Sequence, residues 1–187
     1  INRVNVGKLG SDYQCEGFVE WARSQLAILP PQLPVVILNR YAAQAFGLNE
    51  INSALERPRV YFSDIHHRTS NEFLDEFGRH ITDTACEIAK QRRVYLLRPI
   101  PEMGFDVPKT LSRRLALGLK EDVSISLDDY RKRNQWVWEA QDAAAKRCGV
   151  RILDPLPYLC NASRCYGSRN LQPLYMDSNH LSETGNK

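Results

Sequence analysis

Short apolar runs alternate along this chain with longer segments in which apolar and polar residues mix. Val35-Val36-Ile37-Leu38, after the Pro30-Pro31 break, predicts a fully buried strand. Val94–Leu97 (VYLL), stopped by Pro99 and Pro101, and Val150–Leu153 (VRIL), stopped by Pro155 and Pro157, predict two more. Arg59–Phe62 (RVYF) is a weaker fourth. Between them, helical patterns cover about Glu16–Leu29, Asn71–Gln91 and Leu127–Lys146. The last follows Ser126 with Asp129 placed as in a capping box, and Tyr130, Val137 and Ala144 share one of its faces.

Strands and helices alternating in this way predict the α/β class: a mainly parallel sheet covered on both faces by helices. One domain over 1–187 is expected, since there is no repeat, low-complexity tract or linker. Sites in such sheets collect at the carboxyl ends of the strands. That singles out Asn39-Arg40-Tyr41, Arg98–Glu102 and the stretch after Asp154.

Charge excludes one class of partner. The 25 basic residues are offset by 22 acidic ones, and a net charge of +3 gives no basic footprint for nucleic acid. No apolar run approaches the roughly 20 residues that span a bilayer. Cys160 and Cys165 bracket a loop-like stretch rich in Asn and Ser. A metal site would need a second Cys or His pair nearby; a local disulfide is the better reading, and it implies an oxidising compartment. Cys86 and Cys148, on helices or at their ends, read as buried free thiols, and Cys15 is left over. No metal and no cofactor are expected.

The segment with the most chemistry is near the end, PLYMDSNHLSETG, in which Asp177 and His180 share one polar turn before an apparent helix start at Leu181. A carboxylate beside an imidazole fixes the ring tautomer and stabilises the imidazolium, leaving the second nitrogen for a nucleophile. D-x-x-H alone is a common, weak signal, and taken by itself a surface turn with a solvated His is the better explanation. Other features invite plainer readings. Adjacent His66 and His67, beside Arg68, read as a solvated loop, and His80 as a boundary residue near Phe73 and Phe77. Arg131-Lys132-Arg133 reads as a solvated helix face. Trp136 and Trp138 cannot share a helix face, so at least one should pack on a loop or a partner surface. Glu102 could reach a site or simply sit in a turn.

A resemblance adds to the D-x-x-H reading. VVILNR (Val35–Arg40), VYLLRPIPE (Val94–Glu102), Val107-Pro108 and the tail LCNASRCYGSRNLQPLYMDSNHLSETG (Leu159–Gly185) stand in this order along nearly the whole chain. Together they resemble the SGNH domain fused to membrane proteins of the acyltransferase-3 family, which O-acetylate bacterial envelope polysaccharides such as O-antigen. The Cys pair followed by P-L-Y-x-D-x-x-H-L-S is the specific part. The resemblance implies a three-layer α/β/α hydrolase fold and acyl transfer through a Ser-His-Asp site, with Asp177 as orienter and His180 as base. It implies a periplasmic location at the inner membrane, a fused multi-pass membrane domain delivering the acyl donor, and a polysaccharide acceptor. An SGNH esterase, with water as acceptor, and a glycan-binding module without catalysis are the alternatives.

The chain departs from the family pattern at the nucleophile. The family's G-D-S-H block follows its first strand, and no G-D-S occurs here. Gly10-Ser11-Asp12 has the wrong order, so Ser11 is a weak candidate. The expectation is that the first strand and its Ser lie outside this chain, with Cys15 paired to a cysteine there. Asn39 is either an oxyanion donor, as in generic SGNH enzymes, or a strand-end cap. Arg40 and Tyr41 fit the Arg-aromatic pair of the fused domains, and Arg40 either binds a polar substrate or pairs with a carboxylate.

Overall fold

In the computed structural model the described residues are 5–6, 15–49, 58–62, 66 and 68–187. In chain order the elements are β1 (Asn5–Val6), α1 (Cys15–Ile28), β2 (Val35–Ile37), α2 (Tyr41–Phe46), β3 (Val60–Tyr61), α3 (Asn71–Ala89) and β4 (Val94–Leu97). There follow α4 (Val107–Ala116), β5 (Ser124–Ser126), α5 (Leu127–Cys148), β6 (Arg151–Leu153), α6 (Leu156–Leu159), β7 (Arg164–Tyr166), β8 (Ser168–Arg169) and β9 (Gln172–Pro173). They fall into two units. The first comprises Ile1–Gly47, Leu55–Pro99 and Trp136–Leu153; the second comprises Leu48–Ala54, Ile100–Gln135 and Asp154–Lys187.

The first unit holds a parallel sheet of order β2-β4-β6, the α/β arrangement expected. Ile37, Leu96 and Ile152 are in register across it and face α3 and α5, where they pack with Ala85, Cys86, Val94, Ala144 and Val150. The opposite positions, Val36, Tyr95 and Arg151, are also in register. There Val36 is 58% exposed, and the Arg151 guanidinium lies 5.9 Å from the Tyr95 ring centre. β2 is therefore not fully buried: it alternates, with Val36 exposed between the half-buried Val35 and Ile37. β3 is shorter than the Arg59–Phe62 pattern, and β1 pairs with it antiparallel.

α3 starts where Ser70 caps it, its hydroxyl accepting the Phe73 N–H. Phe73, Phe77 and Ile81 then fall on one face and meet Tyr41, Ala45, Val60, Phe62, Val137 and Ala140. α3 and α5 run close together. The Thr82 hydroxyl donates to the Ala140 carbonyl at 3.0 Å, and Gly78 has the Ala140 Cβ 3.4 Å from where its own Cβ would be.

That closeness corrects one expectation. Cys86 and Cys148 are not free thiols but a disulfide, with Cα atoms 5.4 Å apart. Each looked like an ordinary apolar helical position; the pairing of two helices distant in sequence brings them together. His66 is not in a solvated loop either: its ring nitrogen is 3.0 Å from Glu76 and its edge meets Phe73. His67 lies outside the described residues. His80 stacks on Phe62 at the core boundary, as expected, and burial pulls its pKa down against the pull of Glu76 and Asp83. Trp136 packs on Phe77 in the core. Trp138 carries the guanidinium of Arg98 at 4.3 Å, and Arg98 also binds Asp142 at 2.6 Å. Neither Trp needs a partner surface to explain it.

The second unit has two small antiparallel pairs. β5 pairs β7 with Ile125 opposite Cys165, and the Cys160–Cys165 disulfide closes the loop before β7, as the sequence predicts. β8 and β9 form a hairpin whose turn residues Asn170 and Leu171 both have positive φ, the requirement of a type I′ turn. The Asp122 carboxylate accepts both their N–H groups and the Ser168 hydroxyl. Desolvation pushes this carboxyl up, but those hydrogen bonds outweigh it and hold its pKa below the ordinary value. The Ser126 hydroxyl caps α5 through the Asp129 N–H at 3.0 Å, as expected. Among the described residues no helix is long and apolar enough to cross a membrane.

Candidate active site

The segment after β9 forms a closed loop. Tyr175 and Leu181 bridge its two ends, the Met176 N–H donates to the His180 carbonyl at 2.8 Å, and the Ser182 N–H donates to Leu174 at 2.9 Å. Residues 181–186 are a bridge and turns, not the helix the sequence suggested. The Ser182 hydroxyl accepts the Gly185 N–H as a helix cap would, and the Asn186 N–H donates to the Ser182 carbonyl, giving a single turn; the same hydroxyl donates to the Pro173 carbonyl and ties that turn back onto β9.

Inside this loop Asp177 makes the contacts that define the site. Its Oδ1 accepts the N–H groups of Asn179 and His180, both at 2.8 Å, which is an Asx turn. Its Oδ2 lies 2.7 Å from Nδ1 of His180. Desolvation pushes the Asp177 carboxyl up, but the two backbone N–H groups and the His180 ring outweigh it, and the pKa is about 2. Asp177 is therefore a carboxylate at neutral pH and can only accept, so Nδ1 carries the proton and Nε2 is the basic nitrogen. The His180 side chain is 67% exposed, leaving that nitrogen open to an incoming hydroxyl.

Two backbone hydrogen bonds hold the loop from behind. The Met103 N–H donates to the Ser178 carbonyl at 2.8 Å, and the Val107 N–H donates to the Asp177 carbonyl at 3.1 Å. Both donors follow the P-I-P-E segment, whose Glu102 neither reaches outward nor sits in an open turn. It is 7% exposed, and Nε and Nη2 of Arg133 reach its Oε2 at 3.2 and 3.1 Å. The sequence places Arg133 on a solvated face; Arg131 and Lys132 are exposed, but Arg133 turns inward. The missed signal is position: Arg133 lies one helical repeat after the buried Tyr130 and beside the buried Asn134.

Asp177 and His180 are thus brought together as expected. Asn39 is exposed just after β2, and Arg40 is the half-buried residue preceding α2. They belong to the first unit, and Asp177 and His180 to the second. Tyr41, after Arg40, is a core residue whose hydroxyl pKa burial pushes up to about 12. Ser11 and the Gly10-Ser11-Asp12 string lie outside the described residues, as does the Cys15 side chain.

The model of the SGNH domain (fused to AT3 domains) matches residues 2–187. No curated protein matches the sequence. Among solved structures the chain is similar to the periplasmic domain of a lipopolysaccharide acetyltransferase of Salmonella ser. Paratyphi A. The identity is 20% and the TM-score 0.42, over 61% of this chain and 44% of that one. The chain thus spans less than half the length of that domain. With the family model covering all but the first residue, this chain belongs to the SGNH domains that are fused to AT3 domains.

Proposed function

We propose that this domain transfers acyl groups, acetyl foremost, to sugar hydroxyls of a bacterial envelope polysaccharide such as O-antigen, on the periplasmic side of the inner membrane. The observation that carries the reading is the 2.7 Å contact between Asp177 Oδ2 and His180 Nδ1, with the ring exposed. Family membership adds a reason to expect acyl chemistry and a fused membrane domain as the source of the acyl group.

In this reading the nucleophile is a serine from outside residues 1–187. His180 Nε2 takes the proton from its hydroxyl as the oxygen attacks the acyl carbonyl, and Asp177 stabilises the imidazolium. Collapse of the tetrahedral intermediate breaks the bond to the donor, and the imidazolium returns the proton to the leaving group. A sugar hydroxyl then gives its proton to Nε2 and attacks the acyl-serine. The serine oxygen leaves, regains the proton from His180, and the sugar ester departs.

The test uses the complete protein, with purified polysaccharide as acceptor and ester formation read by mass spectrometry. His180→Ala and Asp177→Asn should each lower transfer by about 10³-fold or more while the domain stays folded. Transfer at the unaltered rate in folded His180→Ala would remove the reading.

A further inference from the structure

We propose that Glu102 and Arg133 are positioning residues for the Asp177–His180 loop: their buried ion pair anchors residues 102–107, whose backbone N–H groups grip the loop from behind. The inference rests on the acyl-transfer reading for its meaning in catalysis, but its structural part stands without it.

The chain of contacts is continuous. Glu102 is buried and takes two donors from Arg133, whose side chain is 16% exposed. The Glu102 carbonyl accepts from the side-chain amide of Asn49 at 3.0 Å, so the residue is held at both its side chain and its backbone. The next residue, Met103, is 2% exposed and donates its N–H to the Ser178 carbonyl; Val107, fully buried, donates to Asp177. These carbonyls belong to two successive peptides, Asp177–Ser178 and Ser178–Asn179, so the backbone that carries the orienting carboxylate is held at two adjoining points by a buried segment. Tyr175 is fully buried, and burial first, with the charges of Tyr130 and Glu102 added, raises its hydroxyl pKa.

A buried ion pair is a costly way to gain stability, and apolar residues of the same size often do as well. A two-point fork on one carboxylate oxygen does supply a fixed direction, which a flexible apolar contact does not. Positioning accounts for the pair in these terms. A misplacement of about 1 Å in a catalytic group can lower turnover about 10²-fold.

Two variants test this. Glu102→Gln removes the charge and keeps the shape. Val107→Pro leaves the ion pair in place and removes the N–H given to Asp177 together with the buried valine side chain, so it is read against Val107→Ala, which changes the side chain and keeps the N–H. Val107 is the first residue of α4, where proline is tolerated, and Asp106 before it has φ −66° and ψ 111°, as a residue preceding proline requires. Two readouts apply to each: amide hydrogen exchange at Asn179 and His180 in this domain, and ester hydrolysis of an aryl acetate by the complete protein. We expect faster exchange at both amides in each variant, kcat lower by about 10- to 100-fold, and KM within about twofold. Folded variants with unchanged exchange and unchanged kcat would overturn the positioning role, even if they melt earlier. If Glu102→Gln does not fold, Arg133→Lys, which keeps the charge and loses the two-point contact, takes its place with the same readouts. Loss of activity in His180→Ala with full activity in both variants would sink this inference only; full activity in His180→Ala would sink the acyl-transfer reading and leave the exchange result to decide the structural part.

Discussion

Asp177 holds His180 twice: Oδ1 accepts its backbone N–H at 2.8 Å, and Oδ2 faces its Nδ1 at 2.7 Å. The first contact sets where the His180 backbone is, and the second sets which way its ring turns. A D-x-x-H spacing permits both within one Asx turn, so three consecutive peptides make an acid–imidazole pair with no help from distant residues. What the turn cannot do is fix itself in the fold, and that is the work of the Met103 and Val107 N–H groups behind it.

The Asp177 contacts predict an acid limb to stability. Its pKa in the folded chain is depressed from 3.8 to about 2, so its contacts stabilise the fold fully above the unfolded value and lose that effect as pH falls through the folded one. With the side chain 43% exposed, solvent screens the effect and it is small. Urea unfolding of the parent domain and of Asp177→Asn should differ by a constant amount from neutral pH to about pH 4, and converge towards pH 2. A difference unchanged down to pH 2 would show that the carboxylate is not specially stabilised.

The two disulfides should differ in worth. Cys86–Cys148 closes a separation of 62 residues and Cys160–Cys165 one of 5. Loop-closure entropy then gives about 4 kcal/mol for the first and about 2 kcal/mol for the second. Paired Cys→Ala variants, compared by chemical denaturation, check the order. Peptide mapping without reduction should recover both cross-links from protein made in an oxidising compartment. Free thiols at 86 and 148 would contradict the close packing of α3 on α5.

Gly185 supports the same loop from its far end. A Cβ there would lie 2.0 Å from the Leu174 carbonyl oxygen, a backbone atom that cannot swing aside. Gly185→Ala should destabilise the domain by about 1–3 kcal/mol and shift the amide resonances of Leu174 and Ser182, whose backbones are bonded to each other. Unchanged stability and resonances would mean the tail is not seated on β9 as described.

How much of this was legible in the sequence depends on the range of each interaction. The three parallel strands stood out because each is a short apolar run ended by prolines or a polar turn. Asp177 and His180 stood out because all their contacts are local. The Ser126 cap and the Cys160–Cys165 bridge are local too. By contrast, Cys86–Cys148 and Glu102–Arg133 join residues far apart in the chain, and each partner alone looks unremarkable: a small apolar helical residue, or a charge in a charged run. α2 and α4 were missed for another reason. Tyr41–Phe46 is too short to show a helical period, and Val107–Ala116 opens on Val107-Pro108, which reads as a break although proline suits the first turn of a helix. The buried character expected of Val36 and Leu38 failed because an apolar run does not say how many of its faces are covered.

Asp177 sets which nitrogen of His180 carries the proton, and the tautomer of that ring is directly measurable. Long-range nitrogen–proton NMR correlation at neutral pH on the nitrogen-labelled domain should show His180 protonated at Nδ1, with the signature moving to Nε2 or to a mixture in Asp177→Asn. A His180 ring protonated at Nε2 in the parent domain, unchanged by Asp177→Asn, would contradict it.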